Sequence, residues 1–334
     1  MSKSLHRVYH WLSLAAIVFS AGVLAFWAYS EYTRPVPPVE YARQTSCNAM
    51  WLGHDWIAAE HTPEEITELA IKLHDHGVSC VYVHTTPLLP DGSFDTSRAQ
   101  YLDVFLTTFR KAYPEATLYA WIGILTQDYE GTSVSTKIDL SDYKMLNSIE
   151  DTAFQLVDDY GFDGIHLDVE PVESGSKDFL VSLSGLHEGL KARGRKLSIA
   201  VIFLATPERR QQWLESGKQF FWSWLPEYYD TVSLFTDQLV IMSYNIGISD
   251  PDQYSERIAW HMQEVQNARA NGVPVLIGVP TYDGTYSGGE NLAAGLEGIR
   301  RGSMAGYPVD GYAVYSEWTT DEEEWELLNT QSIL

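Results

Sequence analysis

This sequence is short of positive charge: 22 Lys and Arg stand against 45 Asp and Glu, a formal net charge of -23. A surface that negative repels phosphate backbones and anionic headgroups, so nucleic acid is not an expected partner. Cysteine is nearly absent. Cys47 and Cys80 are too few for a disulfide scaffold, and no Cys-x-x-Cys or Cys/His spacing points to a zinc module. No Gly-rich turn follows an early strand, which argues against a dinucleotide fold, and neither a fixed-period repeat nor a low-complexity tract is present. What remains is 334 residues, 45% of them hydrophobic, enough for two ordinary domains or one large α/β barrel.

The longest uncharged run lies near the start. Lys3 and Arg7 precede a stretch from Trp11 to Ser30 that, at about 20 residues, would span ~30 Å as a helix, the thickness of a bilayer core. Residues 1–30 are therefore expected to be a signal anchor, with Trp and Tyr at both ends of the run. Ala28-Tyr29-Ser30 offers a small-residue cleavage site, which leaves a cleaved signal peptide as the alternative. The leading positive charges hold the amino end in the cytoplasm. The expected protein is membrane-anchored with its domain outside the cytoplasm, or secreted if the segment is cut. Residues 31–46, with Pro35-Val36-Pro37-Pro38, read as a stiff spacer, and residues 47–334 as one domain. Outside the cytoplasm, Cys47 and Cys80, at the amino ends of neighbouring strands, could form a disulfide.

From Cys47 onward short β-branched runs alternate with amphipathic helical stretches. The runs are 48–53, 80–84, 117–123, 164–170, 196–204, 239–245, 274–280 and 311–318. Eight βα units predict a closed (β/α)8 TIM barrel. The first helix is signalled by Thr62 as N-cap, Pro63, Glu65 at the capping-box position and Gly77 as stop. A second is expected from Ser148 to Gly161, and a third carries Ile258, Met262 and Val265 before Gly272.

In such a barrel the chemistry sits at the carboxyl ends of the strands. Those ends are polar and aromatic here: His54, Asp55 and Trp56, then His84, Trp121, Glu170, Tyr244 with Asn245, Tyr282, and Trp318. The densest signal is run four, Phe162 to Pro171. Strand alternation puts Gly164, His166, Asp168 and Glu170 on one face and Ile165, Leu167 and Val169 on the other. A polar face turned into a barrel is costly unless it is hydrogen-bonded or neutral, a conflict that sequences accept chiefly at functional sites. Two carboxylates on one face also push their pKa values apart, so that one, Glu170 nearest the mouth, can stay protonated and act as an acid.

The pattern Asp163-Gly164-x-x-x-Asp168-x-Glu170 resembles the strand-four signature of the family 18 glycoside hydrolases, the chitinases and their endo-N-acetylglucosaminidase and peptidoglycan-cleaving relatives. Met242-Ser243-Tyr244-Asn245 is similar to that family's strand-six segment, Gly278 to Tyr282 to its strand-seven segment, and Trp318 to the tryptophan closing strand eight. The resemblance implies a glycosidase acting on β-linked N-acetylglucosamine glycans by retaining, substrate-assisted catalysis. It implies Glu170 as acid and then base, Asp168 and Tyr244 as partners of the substrate's acetamido group, and Trp318 as the floor under the sugar. Trp121, Tyr282, Asn245, Asp55 and His166 complete the expected binding set. The partner implied is an N-acetylhexosamine-containing polysaccharide, with no cofactor, no metal and a monomeric chain. His166 stands where the family usually has an aspartate, Val169 where an aromatic is frequent and Asn245 where an aspartate is common. His166 would then supply a hydrogen bond or positive charge to Asp168, or be a satisfied core histidine.

Three other readings remain open at this stage. A non-catalytic carbohydrate-binding relative would keep the aromatic platforms. A metal-dependent hydrolase could gather His54, His84, His166 and Asp168. A two-carboxylate glycosidase would pair Glu170 with Glu317, although an inward Trp318 would turn Glu317 away. The aromatic stretch from Glu208 to Tyr229 is either a subsite wall or a local core.

Overall fold

Each β-branched run becomes a parallel strand because both of its faces have something to bury, one inside the barrel and one under a helix. In the structure, a computed structural model that describes residues 47–86, 88–89, 91–127, 137–217, 223–284, 286 and 288–330, eight strands close in sequence order. They are β1 (Asn48–Leu52), β2 (Val78–His84), β3 (Thr117–Leu125), β4 (Gly164–Glu170), β5 (Lys196–Ile202), β6 (Gln238–Met242), β7 (Val275–Pro280) and β8 (Gly311–Tyr315), and β8 pairs back onto β1. A helix follows each strand: α1 (Pro63–Asp75), α2 (Leu102–Ala112), α3 (Tyr143–Asp158), α4 (Lys177–Ala192), α5 (Pro226–Val232), α6 (Pro251–Glu264), α7 (Leu292–Met304) and α8 (Glu322–Thr330). This is the expected (β/α)8 barrel. The expected membrane segment, residues 1–30, the spacer, residues 31–46, and Phe220, Phe221 and Trp222 lie outside the described residues. Among the described residues no helix is long and apolar enough to cross a membrane.

Local signals place the helices. Thr62 accepts a hydrogen bond from the Glu65 amide at 3.2 Å while its own amide donates to the Glu65 carboxylate at 2.7 Å, and Gly77 takes a φ of 68° beyond the end of α1. The second expected helix begins at Tyr143 rather than Ser148, capped by Asp142, which accepts from the amides of Lys144 and Met145. Its first turn is largely exposed, so the apolar period starts only later in the helix.

The core has two layers. Ile165, Leu167 and Val169 face outward and pack with the apolar faces of the surrounding helices, among them Ile66, Leu69 and Leu156. Trp51, Tyr82, Tyr119 and Trp121 form a separate aromatic cluster with Ala313, at positions that alternation turns into the barrel. Cys47 and Cys80 belong to that cluster and are joined as a disulfide between the starts of β1 and β2.

Candidate active site

Strand β4 shows why its sequence reads as it does. A Cβ on Gly164 would fall 2.3 Å from the Lys196 carbonyl oxygen and 2.8 Å from the Tyr119 ring, so only glycine fits. Asp163, just before the strand, accepts from the Leu118 amide at 2.9 Å and from Arg110 at 3.1 Å, which ties β4 to β3. The opening Asp-Gly of the motif is thus structural, and the chemistry-bearing groups are those further along the same face.

His166, the first of them, is a satisfied core residue. It is fully buried. Its Nε2 accepts from the Trp51 indole at 3.0 Å, which places the ring proton on Nδ1, 2.8 Å from the Ser198 hydroxyl. Ser198 in turn donates to Gln238 at 2.7 Å, as does Tyr82, whose ring stacks on the imidazole with centroids 3.7 Å apart. Burial holds the imidazole pKa well below its usual value, so the ring is neutral. His166 is absent from the lining of the cavity that Asp168 and Glu170 face, and as a neutral ring it supplies no positive charge to Asp168. Its expected place in the binding set is corrected on that ground: the family-like position lies one layer too deep to meet a ligand.

One step up the strand the polar groups change character. Asp168 accepts a single hydrogen bond on Oδ2, from the Trp121 indole at 3.1 Å, and its buried Oδ1 has no partner among the described residues. Glu170 follows at the mouth. Burial raises both carboxyl pKa values, and the Asp168 charge raises that of Glu170 further, whereas the Trp121 N–H opposes the rise at Asp168. Two carboxyls so placed resist ionising together and are suited to hold one proton between them.

The pair faces a cavity of about 810 Å³. Trp121, Tyr244, Asn245, Tyr282 and Trp318, all expected from the sequence, line it with Asp168 and Glu170. Tyr244 stands beyond the end of β6, its hydroxyl kept protonated by burial and by the negative fields of Asp168 and Glu170. Asn245 has a φ of 55°.

Trp318 lines this cavity from further out than the end of the strand. Strand β8 ends at Tyr315, and Trp318 lies on a short 3-10 turn, 49% exposed at the cavity rim. The central aromatic is Tyr315, stacked on Tyr244 with centroids 5.4 Å apart and set edge-on to Trp51 at 5.6 Å and Tyr282 at 5.8 Å. The signal for it was available, since Ala313 faces inward and alternation then turns Tyr315 inward as well.

Asp55, like His166, is absent from the lining of that cavity. It is exposed and lines a second chamber of about 460 Å³ with Trp56, His61, His84 and Glu317. Trp121, Tyr315 and Trp318 border both chambers. Glu317 accepts from the Trp56 indole at 3.1 Å and lies on that side, so it is not placed as a partner of Glu170. The donors of the metal reading are engaged elsewhere: His166 below, His54 donating to the His84 carbonyl at 3.0 Å, and His84 Nε2 lying 2.8 Å from the Thr86 hydroxyl. Among the described residues no group of three or more His, Cys, Asp or Glu is arranged to hold a metal ion. Of the aromatic stretch, Trp224, Tyr228 and Tyr229 are buried in the main core with Phe179, while Arg209 lines the cavity.

No family model matches the chain, and no curated protein matches it. Solved structures share its fold. A class V chitinase from Pseudomonas fluorescens is similar at a TM-score of 0.56 and 15% identity, over 85% of this chain and 99% of that one. The spore cortex-lytic enzyme of Bacillus cereus is similar at 0.57 and 13% identity, over 87% of this chain and 75% of that one. A family GH18 chitinase from Cycas revoluta, solved with allosamidin, is similar at 0.57 and 14% identity, over 85% and 98% of the two chains.

Proposed function

We propose that this chain is a glycoside hydrolase that cleaves β-linked N-acetylglucosamine-containing glycans with retention, using the substrate's own acetamido group as nucleophile. The observation that carries the reading is the Asp168 and Glu170 pair, raised in pKa by burial and set at the carboxyl end of the barrel beneath an aromatic-walled cavity. The barrels of two chitinases and a spore cortex-lytic enzyme support it at the level of fold.

In this mechanism protonated Glu170 donates to the glycosidic oxygen as the acetamido oxygen attacks the anomeric carbon, giving an oxazolinium and the leaving alcohol. Asp168, held by Trp121, presents its unpartnered Oδ1 to the acetamido N–H and balances the developing positive charge. Tyr244 donates its hydroxyl proton to the acetamido oxygen and keeps it aimed. Glu170, now ionised, takes a proton from water as that water opens the oxazolinium, and both groups return to their starting states. Tyr315 supplies the apolar floor.

We read the domain as lying outside the cytoplasm, anchored or secreted, from the uncharged run between Trp11 and Ser30, and the Cys47 to Cys80 bridge supports an oxidising compartment. The test is incubation of the purified chain with labelled N-acetylglucosamine oligomers and with purified peptidoglycan, products read by mass spectrometry. Cleavage with retained anomeric configuration, inhibited by an N-acetylglucosamine thiazoline, is the expected result. No cleavage of any acetamido sugar, or activity lost to EDTA and restored by zinc, would overturn the reading.

A further inference from the structure

Tyr244 stands beyond the last residue of β6, Met242, on a turn rather than on the barrel wall, so another part of the molecule must fix its hydroxyl. Behind it the fixing is visible: the Ser243 carbonyl accepts from the Tyr254 hydroxyl at 2.6 Å, and the Ser243 hydroxyl lies 3.0 Å from His261 Nδ1, both buried residues of α6. Ahead of it Asn245 takes a φ of 55°, a left-handed bend that asparagine tolerates better than most residues. The three amides after the bend share one acceptor. Those of Ile246, Gly247 and Ile248 all donate to the Glu290 carboxylate, the first to Oε2 at 3.2 Å and the other two to Oε1 at 2.7 Å each.

We infer that Glu290 is a positioning residue of the active site, resting on the proposed role of Tyr244: it grips the turn after β6 and so sets the Tyr244 hydroxyl over the carboxyl pair. Glu290 is only 4% exposed and does not line the catalytic cavity. A buried carboxylate is expensive unless its oxygens are filled, and three amides in series fill them with charge-assisted bonds. Its loop, between β7 and α7, also carries Tyr282 and Tyr286 of the cavity wall. The two loops meet backbone to backbone, since a Cβ on Gly289 would fall 2.5 Å from the Ile248 carbonyl oxygen. Glu290 thus joins both halves of the wall to one carboxylate and touches no reacting atom.

The test is steady-state hydrolysis of a fluorogenic β-linked N-acetylglucosamine oligomer by the full chain carrying Glu290→Gln, assayed well below its melting temperature. The amide keeps the shape but turns an N–H against one of the three donors. A displaced hydroxyl loses transition-state alignment, so kcat should fall roughly 10- to 100-fold with KM changed less than about threefold. The loss should shrink to under about threefold when Glu290→Gln is placed in a Tyr244→Phe background, because the hydroxyl being positioned is gone. Gly289→Ala, which pushes the same loops apart, should give the same pattern and serves where Glu290→Gln does not fold. Losses that multiply in the double variant, an unchanged kcat, or failure of both variants to fold would overturn the inference in favour of a purely structural role. An unchanged kcat in Tyr244→Phe alone would instead remove Tyr244 from the proposed mechanism, and this inference with it.

Discussion

The lower and upper halves of the barrel interior are built from the same materials, aromatic rings and polar groups on one face of β4, yet they differ in what those groups find. Below, His166 is met on both nitrogens, by Trp51 and Ser198, and Gln238 receives Ser198 and Tyr82 while its amide donates to Cys47 at 3.2 Å. Above, Asp168 has one filled oxygen and one empty one, and both carboxyls are pushed toward protonation by burial. Burial raises the energy of an ionised or unpaired group in both places, but only below do partners remove the penalty. Polarity inside a barrel is therefore ambiguous by itself. What separates a structural network from a reactive site is whether the hydrogen bonds close.

The largest expected effect falls on the upper half. Glu170→Gln keeps shape and polarity but has no proton to give, so turnover should drop by about 10³-fold or more while substrate still binds, as measured by steady-state kinetics and by titration of an oligosaccharide. Retention of activity within tenfold would remove the distinction between the two halves. The matching change below, His166→Ala, should act on stability instead. It leaves a cavity, orphans the Trp51 indole and removes the donor to Ser198 Oγ, at a cost of about 2 to 5 kcal/mol, with the shape of the pH–rate profile unaltered. Denaturant unfolding and a pH series check both arms, and a shifted profile would couple His166 to the carboxyl pair after all.

A smaller effect is expected where the halves meet, at Trp121. Its N–H favours the Asp168 carboxylate, so Trp121→Phe should raise the Asp168 pKa further. Because the proposed mechanism needs Asp168 ionised and Glu170 protonated, the acid limb of kcat/KM should move to higher pH while the alkaline limb moves less. An acid limb left in place would show that Asp168 is not the group titrating there.

The smallest effect is thermodynamic. With both carboxyl pKa values raised on folding, the folded chain binds more protons than the unfolded one between the ordinary carboxylate range and the raised values, so stability from this pair is present at low pH and lost as pH rises. Glu170→Gln no longer titrates, and its melting temperature relative to the parent should climb from about pH 4 to about pH 8. A constant difference across that range would mean that Glu170 is not perturbed.

Residue order alone carried the barrel and the essential face of β4, because strand and helix periods are local and a carboxylate pair two residues apart must share a face whatever surrounds it. It also carried the capping of α1, whose bonds span three residues. The cross-chain bonds were beyond it. His166 is structural because of an indole 115 residues away, and Glu290 matters because of amides 42 to 44 residues away, separations that no local pattern encodes. Likewise Tyr315 packs among the aromatics at the centre of the cavity while Trp318 lies at its rim, because pairing with β7 ends at Tyr315, after which the chain turns outward. Composition and periodicity decide which side chains face inward; only closure of the barrel decides which of them meet a partner and which are left open to a ligand.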